Sequence, residues 1–322
     1  MSVTALAVLG RGVVDPSTPV ARADDYGITR GDGCFEGLRI RRTPHRAAKA
    51  DGHPRGWIID GLDGHLARMT RSAAGLGIAF DEPAWRRLVD ELGDAWMATT
   101  GETGEDEAAV KLVLTRGPAV EGAAPTGFGT ISPLAPGTLE ERRDGIDVIT
   151  VSRGTTSRSF ADAPWLLGGI KTLSYAVNMA AQREAARLGV HDVIFVTVDG
   201  ELLEGPTSSV VWASRDAGGT TLRTVSEGPN GILHSITTHT LFERAAAAGW
   251  VTKAEPGTVA DLRAADVALL VSSVKGPLRL RSVDGNALRT TPVGLEIVAA
   301  CRRFTDFADP SDPAHPEQGF GD

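Results

Sequence analysis

Lysine is scarce in this chain of 322 residues. Of its 33 basic residues only five are lysine, at positions 49, 111, 171, 253 and 275, and arginine supplies the rest. Arginine serves for surface charge, but its guanidinium stays protonated and cannot act as a nucleophilic amine. Each lysine that persists is therefore a place to ask whether amine chemistry requires it. Cysteine is scarcer still, with Cys34 and Cys301 alone. They allow no disulfide framework and no CxxC pair, so unreactive thiols in a reducing compartment are expected. No apolar run approaches the ~20 residues that span a bilayer. No basic block is present and the formal charge is −8, which argues against nucleic acid or an anionic membrane as a partner. The seven histidines are scattered and form neither HExxH nor a Cys/His cluster, so no metal site is expected. GxxxxGK[ST] is absent and no GxGxxG follows a strand, which removes the common phosphate-loop and dinucleotide-binding domains. The opening Met-Ser-Val-Thr-Ala-Leu-Ala-Val-Leu has no basic residue before its apolar stretch, so it does not read as a signal peptide and a cytoplasmic protein is expected.

What is present is the composition of a packed protein, 42% hydrophobic and 23% charged. Strand patterns fall at 3–14, 33–42, 57–60, 110–115 and 127–132. Between them, apolar residues Leu62, Leu66, Met69, Ala73 and Leu76 recur at helical spacing, as do Leu88, Leu92 and Trp96. A Gly/Pro/His loop is expected at 43–56. A first domain at 1–133 is expected to join a second at 146–308 through a linker at 134–145, where Pro136, Gly137 and a charged run interrupt the pattern. The second domain opens on a strand at 146–152, with helices at 174–188 and 236–248, a hairpin at 193–213 and a strand at 267–272. Residues 309–322, with three prolines and four acidic residues, read as a disordered tail. Strands and helices do not alternate strictly, so the fold class is α+β.

Four segments carry the chemistry. They are Gly31-Asp32-Gly33-Cys34-Phe35-Glu36-Gly37-Leu38-Arg39, then His65-Leu66-Ala67-Arg68, then Lys171-Thr172-Leu173-Ser174-Tyr175 with the later Glu204-Gly205-Pro206-Thr207-Ser208-Ser209, and finally Gly231-Ile232-Leu233-His234-Ser235-Ile236-Thr237. In this order and spacing the chain resembles the class IV pyridoxal-phosphate (PLP) enzymes, which include branched-chain aminotransferases, D-amino-acid aminotransferases and 4-amino-4-deoxychorismate lyase. The resemblance runs from about residue 24 to about residue 285.

The resemblance implies a role for each matching residue. PLP is held as an imine on a lysine that then shuttles a proton at the substrate carbon, and Lys171, at the end of a strand, matches that lysine. Glu204 matches the carboxylate that keeps the pyridine nitrogen protonated. Arg68 matches the phosphate arginine. Ile236 and Thr237 match the phosphate contacts at the start of a helix, whose free N–H groups and dipole favour an anion. Ser272 and Ser273 match a further pair of phosphate contacts. Tyr175 aligns with the tyrosine that bonds the cofactor's phenolic oxygen, and it serves equally well as a core aromatic. Phe35 and Arg39 fall near the substrate. Arg116 either meets a substrate carboxylate or is structural, because the Arg-x-His of typical D-amino-acid aminotransferases is not completed here. His234 replaces a common proline, and it either points to the substrate or fills the loop.

Two reactions fit these motifs. One is the lyase reaction, in which aminodeoxychorismate gives pyruvate and 4-aminobenzoate, a folate precursor. The other is transamination of branched-chain L-amino acids, D-amino acids or amines. A reading of another class is a non-catalytic PLP-binding protein on the same scaffold. The family also implies fold type IV, with a small N-terminal α/β domain, a larger C-terminal domain around a barrel-like sheet, PLP in the cleft and a homodimer.

Overall fold

The computed structural model describes residues 2–43, 56–101 and 106–307. Most of the loop expected at 43–56, and the whole tail expected at 309–322, lie outside the described residues. Backbone contacts divide the chain into two compact units. One is Met1–Thr138 with Phe160–Val177, and the other is Leu139–Ser159 with Asn178–Asp322. The chain therefore enters each unit twice, a division that differs from a single cut at 134–145.

In the first unit, strands β1 (Ala5–Val8), β2 (Gly12–Val14), β3 (Gly33–Arg42), β4 (Trp57–Ile59), β5 (Glu107–Thr115) and β6 (Thr126–Ser132) pair in the order β2-β1-β6-β5-β3-β4. Every pair is antiparallel. A short helix α1 (Tyr26–Arg30) leads into β3, and two longer helices, α2 (Leu62–Gly75) and α3 (Glu82–Thr100), follow β4. β6 alternates buried and half-buried residues, the period of a strand with one face covered. Leu38 and Ile40 of β3 pack with Leu112, Ile131, Leu66, Met69, Trp85 and Leu92 into one core between sheet and helices. α3 starts where the Asp81 side chain accepts the Ala84 N–H at 3.1 Å, with Pro83 in its first turn.

In the second unit, β7 (Ile146–Ser152), β8 (Asp192–Val196), β9 (Ser209–Asp216), β10 (Gly219–Thr224), β11 (Val251–Ala254), β12 (Val267–Ser272) and β13 (Gly276–Val283) run in the order β11-β10-β9-β12-β13-β7-β8. A short β14 (Asn286–Ala287) lies beside β13. The pairs β10·β11, β13·β7 and β7·β8 are parallel and the others antiparallel, and the sheet curls into a half barrel. The helices are α4 (Thr138–Asp144), which occupies much of the expected linker, α5 (Ala176–Arg187), α6 (Ile236–Ala247), α7 (Val259–Ala264) and α8 (Pro292–Phe304). The run Val267-Ala268-Leu269-Leu270-Val271 shows no alternation because both of its faces are covered. Ala268 and Leu270 join Val210, Trp212 and Leu278 on one side. Leu269 and Val271 join Val211, Leu241 and Ile297 on the other. Among the described residues no helix is long and apolar enough to cross a membrane.

Three local expectations are corrected. Residues 193–213 are not one hairpin, because β9 pairs with β10 and β12. Only Leu202–Glu204 folds back on β8, through bonds such as Leu203 N–H to Phe195 O at 2.9 Å. Gly205 N–H then donates to Ser208 O at 2.7 Å, a tight turn that carries the chain away from β8. Second, α5 begins at Ala176 rather than 174: Leu173 lies in a bend, and Tyr175 N–H donates back to Leu173 O at 2.7 Å in a tight turn just before the helix. Third, Lys171 ends no strand; its neighbour Thr172 makes an isolated bridge to Cys34.

Trp85 is 0% exposed in the first core. Trp85→Ala should therefore lower stability by about 3–5 kcal/mol, read from guanidinium unfolding followed by far-UV circular dichroism. A loss below ~1 kcal/mol would show that the core collapses around the vacancy and that Trp85 does not brace it.

Candidate active site

In the first unit the amine of Lys171 is placed by a backbone clasp. Phe35 N–H donates to Lys171 O at 3.1 Å, Leu173 N–H donates to Gly33 O at 2.8 Å, and Lys171 N–H donates to Ser72 Oγ at 3.2 Å. Gly33 permits this close approach. A Cβ there would stand 2.5 Å from Leu114 O and 2.7 Å from Leu173 Cδ1.

Beyond the clasp, Lys171 Nζ is 3.0 Å from the Tyr175 hydroxyl and 4.4 Å from the centre of the Phe35 ring. Phe35 and Tyr175 meet edge to face with centroids 4.8 Å apart. Tyr175 is thus a neighbour of the lysine amine. Lys111, which has no motif around it, stands 5.4 Å over the same Phe35 ring, because β5 runs beside β3 with Phe35 opposite Val113. Only the strand register shows this.

The opposite face of β3 carries Cys34, Glu36, Leu38 and Ile40. Glu36 is 0% exposed. It meets two residues one turn apart on α2. Arg68 donates from Nε to Glu36 Oε1 at 2.7 Å and from Nη2 to Oε2 at 2.6 Å, and His65 Nδ1 lies 2.7 Å from Oε2. Burial alone would raise the Glu36 carboxyl, but the hydrogen bonds and charge of Arg68, joined by His65, hold it at about 2. Burial pushes His65 below its ordinary value and outweighs the pull of Glu36. A neutral imidazole facing a carboxylate must carry its proton on Nδ1. Burial, with the Glu36 charge, pushes the Cys34 thiol up to about 12, so it is inert.

In the second unit, Glu204 accepts the Leu233 N–H on Oε2 at 3.3 Å. It stands before the turn Gly205–Ser208, which Asn178 braces by donating to Pro206 O at 2.8 Å. A Cβ on Gly205 would meet Ser208 Oγ at 2.4 Å. α6 starts at Ile236, and its cap Ser235 accepts the Thr238 N–H at 3.2 Å. Thr237 Oγ1 lies 2.7 Å from Ser273 Oγ, so the expected helix start and serine pair are neighbours. Ser272 Oγ accepts the Lys275 N–H at 3.2 Å. A cavity of about 140 Å³ is lined by Glu204, Val210, Leu233, His234, Ser235 and Thr238, among others.

The remaining candidates have other partners. Arg39 is buried and bonds Asp60 at 2.7 Å and Glu107 at 3.3 Å, the surroundings of a structural cation. Arg116 grips Asp32 at 2.5 Å and Leu76 O at 2.7 Å, which ties the Gly-Asp-Gly segment to the end of α2. His234 Nδ1 lies 2.9 Å from Glu227 Oε1, and its ring lies 5.4 Å from that of His239.

The donor set fits pyridoxal phosphate. An aldehyde needs an amine, a ring nitrogen needs a carboxylate, and a phosphate needs hydroxyls and helix N–H groups. By chemical type, Lys171 in the first unit, and Glu204 and the Thr237–Ser273 pair in the second, are groups of these kinds. Two buried hydroxyls, Ser208 Oγ and Thr238 Oγ1, have no hydrogen-bond partner among the described residues.

Comparison with known proteins agrees with this chemistry. Residues 33–283 match the family described as Amino-transferase class IV. The chain is 39% identical over 284 residues to the bifunctional aminodeoxychorismate lyase / D-amino acid transaminase of Mycobacterium tuberculosis, covering 87% of this chain and 92% of that one. The PLP-bound form of a hypothetical aminotransferase from Mycobacterium tuberculosis superposes with a TM-score of 0.82 at 36% identity, over 94% of this chain and 98% of the other. The fold IV-transaminase CpuTA1 of Curtobacterium pusillum gives 0.78 at 34% identity, over 93% and 97%.

The buried Glu36–His65 pair predicts how stability depends on pH. Both groups have lowered values in the folded chain, so the unfolded chain binds the extra protons as pH falls. Stability should decline as pH drops through the ordinary histidine range near ~6.5, and decline further below the ordinary glutamate value near ~4.3. Melting temperatures measured from pH 8 to pH 2 check this. His65→Asn should flatten the first decline, and an unchanged profile in that variant would assign the decline to other groups.

Proposed function

From the premise that this chain belongs to the class IV aminotransferases and is a PLP-dependent enzyme, we propose that it is a 4-amino-4-deoxychorismate lyase that releases pyruvate and 4-aminobenzoate. When bound, PLP supplies an electron sink for a carbanion at the substrate carbon. Lys171 provides the amine that anchors the cofactor and then carries the proton. It takes the proton from the ring carbon bearing the amino group, the ring C–O bond breaks, and the departing enol gains a proton to become pyruvate as the ring turns aromatic. Atoms balance without water or an amino acceptor. Tyr175, 3.0 Å from Lys171 Nζ, holds the amine by a hydrogen bond, and Phe35 gives it an apolar wall. Glu204 holds the ring nitrogen. Arg68, Ile236, Thr237, Ser272 and Ser273 hold the phosphate.

The observation that carries the lyase reading is the mycobacterial relative, 39% identical over 284 residues, whose name gives aminodeoxychorismate lyase first. Arg116 and Arg39 do not separate the readings: both are engaged by carboxylates of this chain, and amino acids and aminodeoxychorismate alike carry carboxylates. Transamination is the second reading, supported by the bifunctional name of the mycobacterial relative. The same proposal includes a homodimer in the cytoplasm, supplying a folate precursor.

Purified enzyme given aminodeoxychorismate should release pyruvate and 4-aminobenzoate with no keto-acid acceptor. Conversion of the bound cofactor to its amine form by D- or L-amino acids, with no 4-aminobenzoate made, would replace the lyase reading by the second. Lys171→Ala should abolish the visible absorbance band of bound cofactor and lower turnover at least ~10³-fold, as expected for loss of a covalent and proton-transfer group.

A further inference from the structure

The Glu36 carboxylate is fully buried in the first unit, as is that of Asp25, and the reaction chemistry above gives it no role. Its two oxygens are spent on α2, one on Arg68 Nε and the other on Arg68 Nη2 and His65 Nδ1. The contact to arginine is two-pointed, which fixes the plane of the guanidinium as well as its position. An arginine on a helix otherwise keeps considerable rotamer freedom, and binding an anion costs the freedom that must be frozen.

We propose that Glu36 is the positioning residue of Arg68, holding its guanidinium in the plane from which it receives the cofactor phosphate, with His65 locking the carboxylate from the other side. The inference rests on the reading of Arg68 as a phosphate residue. Two physical effects oppose one another here. The carboxylate repels a phosphate dianion, while the two-point grip orients the donor that the phosphate needs. Arg68 is 7% exposed and Glu36 0%, so an arginine without its carboxylate would have to turn or attract water in a packed site. Orientation therefore outweighs repulsion. The ion pair stays formed across the working pH range, since the Glu36 carboxyl is held at about 2. The neutral His65 adds a hydrogen bond without adding a second buried cation.

The test compares binding of PLP with binding of pyridoxal, which lacks the phosphate, by the full-length protein. Both are titrated by quenching of tryptophan fluorescence in the wild type, Glu36→Gln, Glu36→Asp, Arg68→Ala and the Glu36→Gln/Arg68→Ala double variant. Glu36→Gln should weaken PLP about 10-fold or more, the size expected for lost hydrogen bonds to a charged group, and leave pyridoxal within about 2-fold. Glu36→Asp should recover part of the loss. The double variant should bind PLP no more weakly than Arg68→Ala alone, because both changes act through one guanidinium. Equal weakening of PLP and pyridoxal by Glu36→Gln would mean a merely structural role and overturn the proposal. Unchanged or tighter PLP binding would overturn it as well. If Arg68→Ala itself leaves the PLP-to-pyridoxal ratio unchanged, the phosphate reading of Arg68 fails and the proposal fails with it. If Arg68→Ala lowers that ratio and Glu36→Gln does not, only the proposal fails. Should Glu36→Gln not fold, Arg68→Lys carries the same test, since it keeps the charge and loses the two-point geometry. About 10-fold weaker PLP binding is expected of it, and wild-type affinity would overturn the proposal.

Discussion

The Lys171 amine is placed by two backbone hydrogen bonds, and much of the first unit is arranged to permit them. Phe35 N–H to Lys171 O and Leu173 N–H to Gly33 O fasten a segment from far along the chain to the first residues of β3. Backbone bonds of this kind are short and directional, so they fix the lysine stem more tightly than side-chain packing could. Gly33 is required because anything larger would strike Leu114 O.

Around this anchor β3 serves two environments at once. Its alternation sends Phe35 to the lysine amine and Glu36 to α2. The buried carboxylate is tolerable because Arg68 and His65 satisfy both of its oxygens, and a buried charge without such partners would be strongly destabilising. The same strand then places Arg39 between Asp60 and Glu107, so a cation conspicuous in the sequence is absorbed into the fold.

In the proposed reading the second unit has a different task, the presentation of hydroxyls and N–H groups to the cofactor phosphate. β12 is covered on both faces, which leaves its end and the start of α6 to carry the polar groups. The Thr237–Ser273 contact at 2.7 Å shows two polar segments, distant in sequence, meeting there. Ser235 caps the helix from its own side chain and thereby fixes where its first N–H groups stand.

The family and its cofactor were legible in the residues themselves, because motif order and spacing carry them. Lysine scarcity drew attention to amines, and the same motif order put Lys171 and Glu204 forward for the proposed chemistry. Strands with one covered face and amphipathic helices were legible too, through their period, as β6 and α2 show. The pairing of β9 was not, because a doubly buried strand has no alternation and a hairpin turn says nothing of which edge a strand finally joins. Nor were the partners of Arg39, Arg116 and Lys111, or the grip of Glu36 on Arg68. Those depend on strand register and helix rotation, and a shift of one residue would have turned each side chain to the opposite face. The amino-acid sequence by itself determined which functional groups this protein possesses. Only the tertiary structure decided which of its charges are spent on one another, because a charge finds its partner through space and not along the chain.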